Sequence, residues 1–235
     1  MCDSKSSFPI GFFIINFLPY DPEKEEMENL SFQFCESIHV YEPKNMEDFL
    51  FCWKDMSKEL PQNKKNIIHW IGHGNTHGLK VSTDEHESPE DFLIWDEMRD
   101  LLLQIPEETR KTIILSMSSC YGHCAYNINK DTNQALFAHL LGYTGELTCT
   151  EAIAAFSDLY EHVFLDSNWN VNDAIAFMNK ALRNIGQRHD ESSYFTYYNG
   201  GVLQAMENVK GCPPAEALLN SITPEIHKSL NFKND

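Results

Sequence analysis

Two short runs constrain this chain more than any other feature: "KNIIHWIG", Lys65 to Gly72, and "KTIILSMSS", Lys111 to Ser119. Both read as strands. The second is continuous and rich in Ile and Leu, without the alternation of a half-solvated strand, so it belongs where both faces of a sheet are covered. Covering both faces requires helices, and the segments between the strands have helical patterns. "NMEDFLFCWKDMSKEL" has helical spacing with Asn45 as a candidate N-cap, "DEMRDLLLQI" is closed by Pro106, and "CTEAIAAFSDLYEHVF" is strongly amphipathic. "NVNDAIAFMNKALRNIG" is another helix, with Asn170 or Asn172 as its cap and Gly186 at its end. Strands thus alternate with helices, which gives an α/β class with a mainly parallel sheet.

The remaining elements follow the same logic. "FPIGFFIINFL" has only Lys5 before it, no small-residue cleavage site after it, and eleven residues, too few to cross a bilayer; it is expected to be a buried first strand. "DPEKEEMENLSF" is an acidic helix or loop, "CESIHVYEP" a second strand, and "STDEHESPED" an exposed loop. "FLIW" is a short strand leading into the next helix. "NQALFAHLLG" is expected to be a helix with Gly142 as a left-handed cap, followed by a short strand in "YTGELT". "SSYFTYYNGG" is a late strand, at the sheet edge or on a cleft wall. No internal repeat or long linker divides the chain, so residues 1–235 are expected to form one domain, with a C-terminal helix and polar tail over 213–235.

In an open α/β sheet, reactive groups collect beyond the carboxyl ends of the strands. Two such ends stand out here. His73-Gly74 follows "NIIHWIG", and Cys120 follows "TIILSMSS", with Gly122 two residues later. A thiolate is a competent nucleophile, an imidazole can take its proton and return one to a leaving amine, and backbone N–H groups can hold the resulting oxyanion. If the two strands are neighbours, His73 and Cys120 emerge at one edge.

This ordered set resembles the caspase-like cysteine peptidases, the group of caspases, metacaspases, separases and CHAT domains. There a hydrophobic strand ends in His-Gly, and a later one ends in the nucleophilic Cys, often followed by x-Gly. The caspase signature places the His about fifty residues before the Cys; subtraction of positions gives 47 here. "FLIWDEMRDLL" looks like the strand and helix that lie between. "GYTGELTCTEAIAAFSDLYEHVF" is similar to the CHAT segment of strand, glycine turn and helix, with Leu159-Tyr160 as the matching pair. The likeness spans about residues 8 to 200. It implies a three-layer α/β/α sandwich, His73 as general base and acid, Cys120 as nucleophile, and the N–H groups of Gly74 and Cys120 as oxyanion hole. It implies a protein or peptide substrate and no cofactor.

The chain also departs from the family. Metacaspases carry Asp two residues before the nucleophile and caspases carry Gln; here Ser118 stands there, a short neutral candidate for substrate binding. Arg99, Arg110, Arg183 and Arg188 lie away from both motifs, which disfavours an Asp-specific pocket. A neutral or apolar side chain before the scissile bond is the expectation, with "TDEHESPED" able to lend acidity from a loop.

Charge and cysteines narrow the setting. The formal net charge of −17 disfavours nucleic acid and anionic membrane surfaces as partners. Seven cysteines without framework spacing suit reduced thiols in the cytoplasm. Control is expected from a regulatory partner chain, from homo-oligomerisation, or from self-cleavage in "STDEHESPED".

Two other readings compete. His69, His73 and His77 recur every four residues, and Cys120, His123 and Cys124 cluster, which are zinc-type ligands. Intervals of four converge only on a helix, however, and on a strand His69 and His73 would lie about 13 Å apart. His123 and Cys124 are better taken as flanking the turn, with Cys124 as a candidate resolving thiol. Phe156, Leu159, Tyr160 and Val163 follow helical spacing and belong to the core. The second reading is a caspase-like scaffold or interaction module without activity, against which the intact His73 and Cys120 argue.

Overall fold

The computed structural model describes residues 10–18, 22–34, 38–60, 65–83, 91–129, 132, 134–165, 171–184 and 195–200. Six strands form one sheet in the order β2-β1-β3-β6-β7-β8: β1 is Ile10–Asn16, β2 Ile38–Tyr41, β3 Lys65–Ile71, β6 Ile113–Ser118, β7 His139–Tyr143 and β8 Phe195–Asn199. All neighbours are parallel except β7 and β8. The strands expected from "NIIHWIG" and "TIILSMSS" are central and adjacent, with Ile68 opposite Leu115 and Ile71 opposite Ser118. "SSYFTYYNGG" supplies an antiparallel edge strand.

Strand alternation assigns residues to two cores. Ile68, Trp70, Leu115 and Met117 meet helices α2 (Met46–Glu59) and α3 (Trp95–Leu103) on one face. Ile67, Ile71 and Ile114 meet α1 (Pro22–Phe34), α5 (Cys149–Leu165) and α6 (Val171–Asn184) on the other. These are the three layers of an α/β/α sandwich. Each fully buried aromatic or branched side chain contributes about 1.5–3 kcal/mol, which is why both faces stay covered. Asn45 caps α2 as its sequence predicts, its Oδ1 accepting from Asp48 N at 3.0 Å.

Phe156, Leu159 and Tyr160 lie in the second core, as their spacing predicts. The side chain of Val163, the caps at Asn170 and Gly186, most of "STDEHESPED" and the C-terminal tail lie outside the described residues.

One expectation is corrected. The described part of "NQALFAHLLG" is not a helix; its last four residues and Tyr143 form β7, and the rest of "YTGELT" is the connection from β7 to α5. Pairing on both sides, with β6 and with β8, outweighs the helical propensity of Ala and Leu in that stretch. Gly142 is therefore a strand residue. A Cβ there would lie 2.4 Å from His123 N and 2.5 Å from Gly122 C, so its bare Cα admits the neighbouring turn.

That turn is a 3-10 segment over Gly122–Asn129 with no forewarning in the sequence. A small antiparallel ribbon, β4 (Gly78–Lys80) with β5 (Phe92–Ile94), and a one-turn helix α4 (Glu107–Arg110) complete the fold. Among the described residues no helix is long and apolar enough to cross a membrane.

Candidate active site

The ladder between β3 and β6 closes with Gly72 N donating to Ser118 O at 3.2 Å, and beyond it the two chains part. On the β3 side, residues 73–80 fold into a hairpin. Lys80 N donates to His73 O at 2.9 Å and Asn75 N to Gly78 O at 3.0 Å. These two bonds bracket the pair Gly74 and Leu79, leaving it as the non-hydrogen-bonded pair of the hairpin. The N–H of Gly74 therefore points away from its ladder and has no acceptor among the described residues.

On the β6 side the chain turns sharply. Tyr121 sits at φ 54°, in the left-handed region that a bulky side chain seldom occupies, and it is the only non-glycine residue there among those described. Its N–H is tied to Gly145 O at 2.8 Å, Gly122 N donates to Ser119 O at 3.1 Å, and Cys124 N to Tyr121 O at 2.8 Å. The left-handed turn residue is thus Tyr121 rather than Gly122. The Cys120 N–H also has no acceptor among the described residues.

His73, Gly74, Cys120 and Tyr121 line one cavity of about 600 Å³ together with residues of the β7–α5 connection. Gly74 lies so close to the turn that a Cβ on it would come within 2.7 Å of the Cys120 carbonyl oxygen. The sulfur of Cys120 is held between two backbone groups: Leu147 N donates to Sγ at 3.3 Å, and Sγ donates to Leu147 O at 3.7 Å. Cys120 is half-buried and His73 exposed at the rim. A thiol with an imidazole, two unengaged N–H groups and a third N–H aimed at sulfur can perform acyl transfer at a carbonyl.

The other candidates separate from this cleft. Ser118 is buried, does not line the cavity, and its hydroxyl has no partner among the described residues. His77 lies on the exposed hairpin, its ring nitrogen Nδ1 sharing a hydrogen bond with Thr76 Oγ1 at 2.9 Å. His69 points to the opposite face and is completely buried, with Nε2 3.0 Å from Glu23 Oε1 and Nδ1 2.8 Å from the Tyr160 hydroxyl. The three histidines of the metal-like spacing therefore face three environments. Among the described residues no group of three or more His, Cys, Asp or Glu side chains is placed to hold a metal ion. His123 bonds to Tyr143 O through Nδ1 at 3.0 Å, and burial pushes its imidazole below its ordinary pKa. Cys124 is buried in the first core.

The β7–α5 connection was missed as part of the site. Its Glu146, Leu147 and Thr148, with Glu151 of the first turn of α5, complete the cavity wall. The signal was present in "TCTE": a Thr followed three residues later by Glu is a helix-start box, and it places the start of α5 after "GEL".

A mainly parallel sheet lies between two helical layers, with a cleft at the carboxyl ends of its central strands, and this architecture is consistent with a caspase-like fold. The structure is similar to that of the Drosophila initiator caspase Dronc, with a TM-score of 0.52 over 83% of this chain and 81% of that one, at 11% sequence identity. No family model and no curated protein matches the sequence.

Proposed function

We propose that the chain is a caspase-like cysteine peptidase acting on protein or peptide substrates. The observation that carries this reading is the shared cavity of His73, Gly74 and Cys120, with the N–H groups of Gly74 and Cys120 both unengaged beside the thiol. His73 takes the Cys120 proton, and the sulfur attacks the scissile carbonyl carbon. The Gly74 and Cys120 N–H groups receive the oxyanion. Collapse breaks the C–N bond, the imidazolium gives its proton to the departing amine, and the acyl group stays on sulfur. Water, deprotonated by His73, attacks the thioester and releases the acid and the thiol.

The contacts of the thiol are to Leu147 N and O on the β7–α5 connection, so a shift of that connection changes the groups around Sγ. Control by a partner chain or by self-association acting on this connection is the form of regulation that the reading expects.

Limiting iodoacetamide at neutral pH, read by intact mass, tests the reading. The expected result is single labelling of wild type, absent in Cys120→Ala and slowed at least about tenfold in His73→Ala, since base assistance is worth about 10²–10⁴ in rate. Labelling spread evenly over several thiols, unaffected by His73, would sink it.

A further inference from the structure

The cleft beside Cys120 carries charge that acyl transfer does not use. Two of its lining residues, Glu146 and Glu151, are carboxylates, and none of the described lining residues is Lys or Arg. Glu146 is exposed on the β7–α5 connection. Glu151 is only 5% exposed, in the first turn of α5. Its Oε2 accepts from Thr148 N at 2.9 Å and Thr148 Oγ1 at 2.7 Å, while Glu151 N donates back to Thr148 Oγ1 at 3.3 Å. This reciprocal cap fixes the direction of the carboxylate. Its second oxygen, Oε1, has no partner among the described residues, and neither glutamate makes an ion pair there. Oε1 is not among the buried atoms left without a partner, so it keeps access to the open cavity, where an entering cation would meet a carboxylate already fixed in direction.

The position of that cavity wall names the ligand. Leu147, between the two glutamates in sequence, places its N–H 3.3 Å from the nucleophilic sulfur. The wall that carries both glutamates therefore also carries a group in contact with the nucleophile. We propose that the cleft selects a cationic side chain, Lys or Arg, on the residue whose carbonyl is attacked, with Glu151 as its fixed counter-charge and Glu146 as its adjustable one. The position assigned to that residue rests on the peptidase reading; the charge preference is a property of the cavity. It replaces the neutral preference expected from Ser118, because the carboxylates come from the β7–α5 connection (Glu146) and the first turn of α5 (Glu151), not from the strand before the nucleophile. A guanidinium can pair in two-pronged fashion with a carboxylate of this wall, whereas an acidic side chain meets like charge from both glutamates and from a chain of net charge −17.

Two measurements on the full chain separate this proposal from the reading beneath it. The first titrates Cys120→Ala with Nα-acetyl-argininamide and with its neutral isostere Nα-acetyl-citrullinamide, by calorimetry. The arginine compound is expected to bind about tenfold or more tighter, an advantage removed in Glu151→Gln and reduced about two- to fivefold in Glu146→Gln, as for charge-assisted bonds at buried and exposed sites. Equal binding of the two compounds, or no binding of either, overturns the cation site. If Glu151→Gln fails to fold, the exposed Glu146→Gln carries the comparison, and its indifference overturns the proposal. The second treats wild type with acetyl-arginyl and acetyl-leucyl chloromethyl ketones and weighs the Cys120 adduct. Preferential arginyl labelling supports the proposal. Equal leucyl labelling overturns it while leaving the peptidase reading intact. Arginine-selective binding with no adduct from either ketone keeps the cation site and overturns the peptidase reading.

Discussion

Gly74 is the residue at which geometry leaves least freedom. The Cys120 carbonyl oxygen occupies the space next to its Cα, so any side chain pushes the hairpin away from the thiol turn. Gly74→Ala is expected to slow Cys120 labelling at least about tenfold, since a displacement of an ångström in a catalytic group can cost about 10²-fold. Because Leu79 of the same hairpin is fully buried in the first core, the displacement is also expected to lower the thermal midpoint; the labelling rate of the folded fraction and a melting curve check both halves. Gly74 was legible in the sequence as the partner of His73. Tyr121 was not, because no sequence rule puts a tyrosine at positive φ; here a hydrogen bond from its N–H to Gly145 O holds it there. Gly142 shows the reverse error. A glycine after an apolar run resembles a helix cap, and only the packed turn at Gly122 and His123 reveals why it is glycine.

Among the elements, β3 and β6 do two jobs with opposite faces. Their ends carry the cleft, while their middles anchor a buried polar chain: Glu23 of α1, His69 of β3, Tyr160 of α5 and Ser116 of β6. His69 and Ser116 are register partners, and Tyr160 reaches both, its hydroxyl 2.7 Å from Ser116 Oγ. The chain ties the two helices that flank this face to the two strands that carry the site. Tyr160→Phe leaves Ser116 and the His69 nitrogen without their partner in an apolar setting. It is expected to cost about 1–3 kcal/mol in denaturant unfolding, with Cys120 still labelled in the folded fraction. A loss under about 0.5 kcal/mol would mean the network adds nothing to stability. The strands and most helices were legible from periodicity, because long buried runs admit few alternatives. This network was not. Tyr160 had been assigned to the core from helical spacing, which is right about burial and silent about what its hydroxyl meets.

For the whole molecule, buried titrating groups set a bounded range of pH. Burial pushes the Tyr160 hydroxyl well above the ordinary tyrosine pKa of about 10, with the charge of Glu23 adding to it and the Ser116 bond opposing. The unfolded chain then loses that proton first, so stability is full below about pH 10 and falls above it by about 1.4 kcal/mol per pH unit. On the acid side, burial lowers the pKa values of His123 and His139, with the charge of Lys65 reinforcing the effect at His139. The unfolded chain binds those protons first, so their contribution is full above about pH 6.5 and is lost as pH falls. A dome of stability with its plateau between those limits is expected from urea unfolding across pH. Burial and the charge of Glu59 raise the Tyr41 hydroxyl as well, so Tyr160→Phe should make the alkaline arm shallower without abolishing it, and an unchanged alkaline slope in that variant would refute the assignment.

The cleft is assembled from segments around residues 73, 120 and 147, brought together by parallel pairing in a single register. A slip of one residue between β3 and β6 would turn every side chain of the slipped strand to the other face. The thiol environment therefore has no graded intermediate: a molecule either possesses it whole or lacks it. Cys120 is in this sense the chain's own census-taker, and in a half-denatured sample the fraction of fast-reacting thiol should equal the fraction of correctly registered molecules counted by circular dichroism.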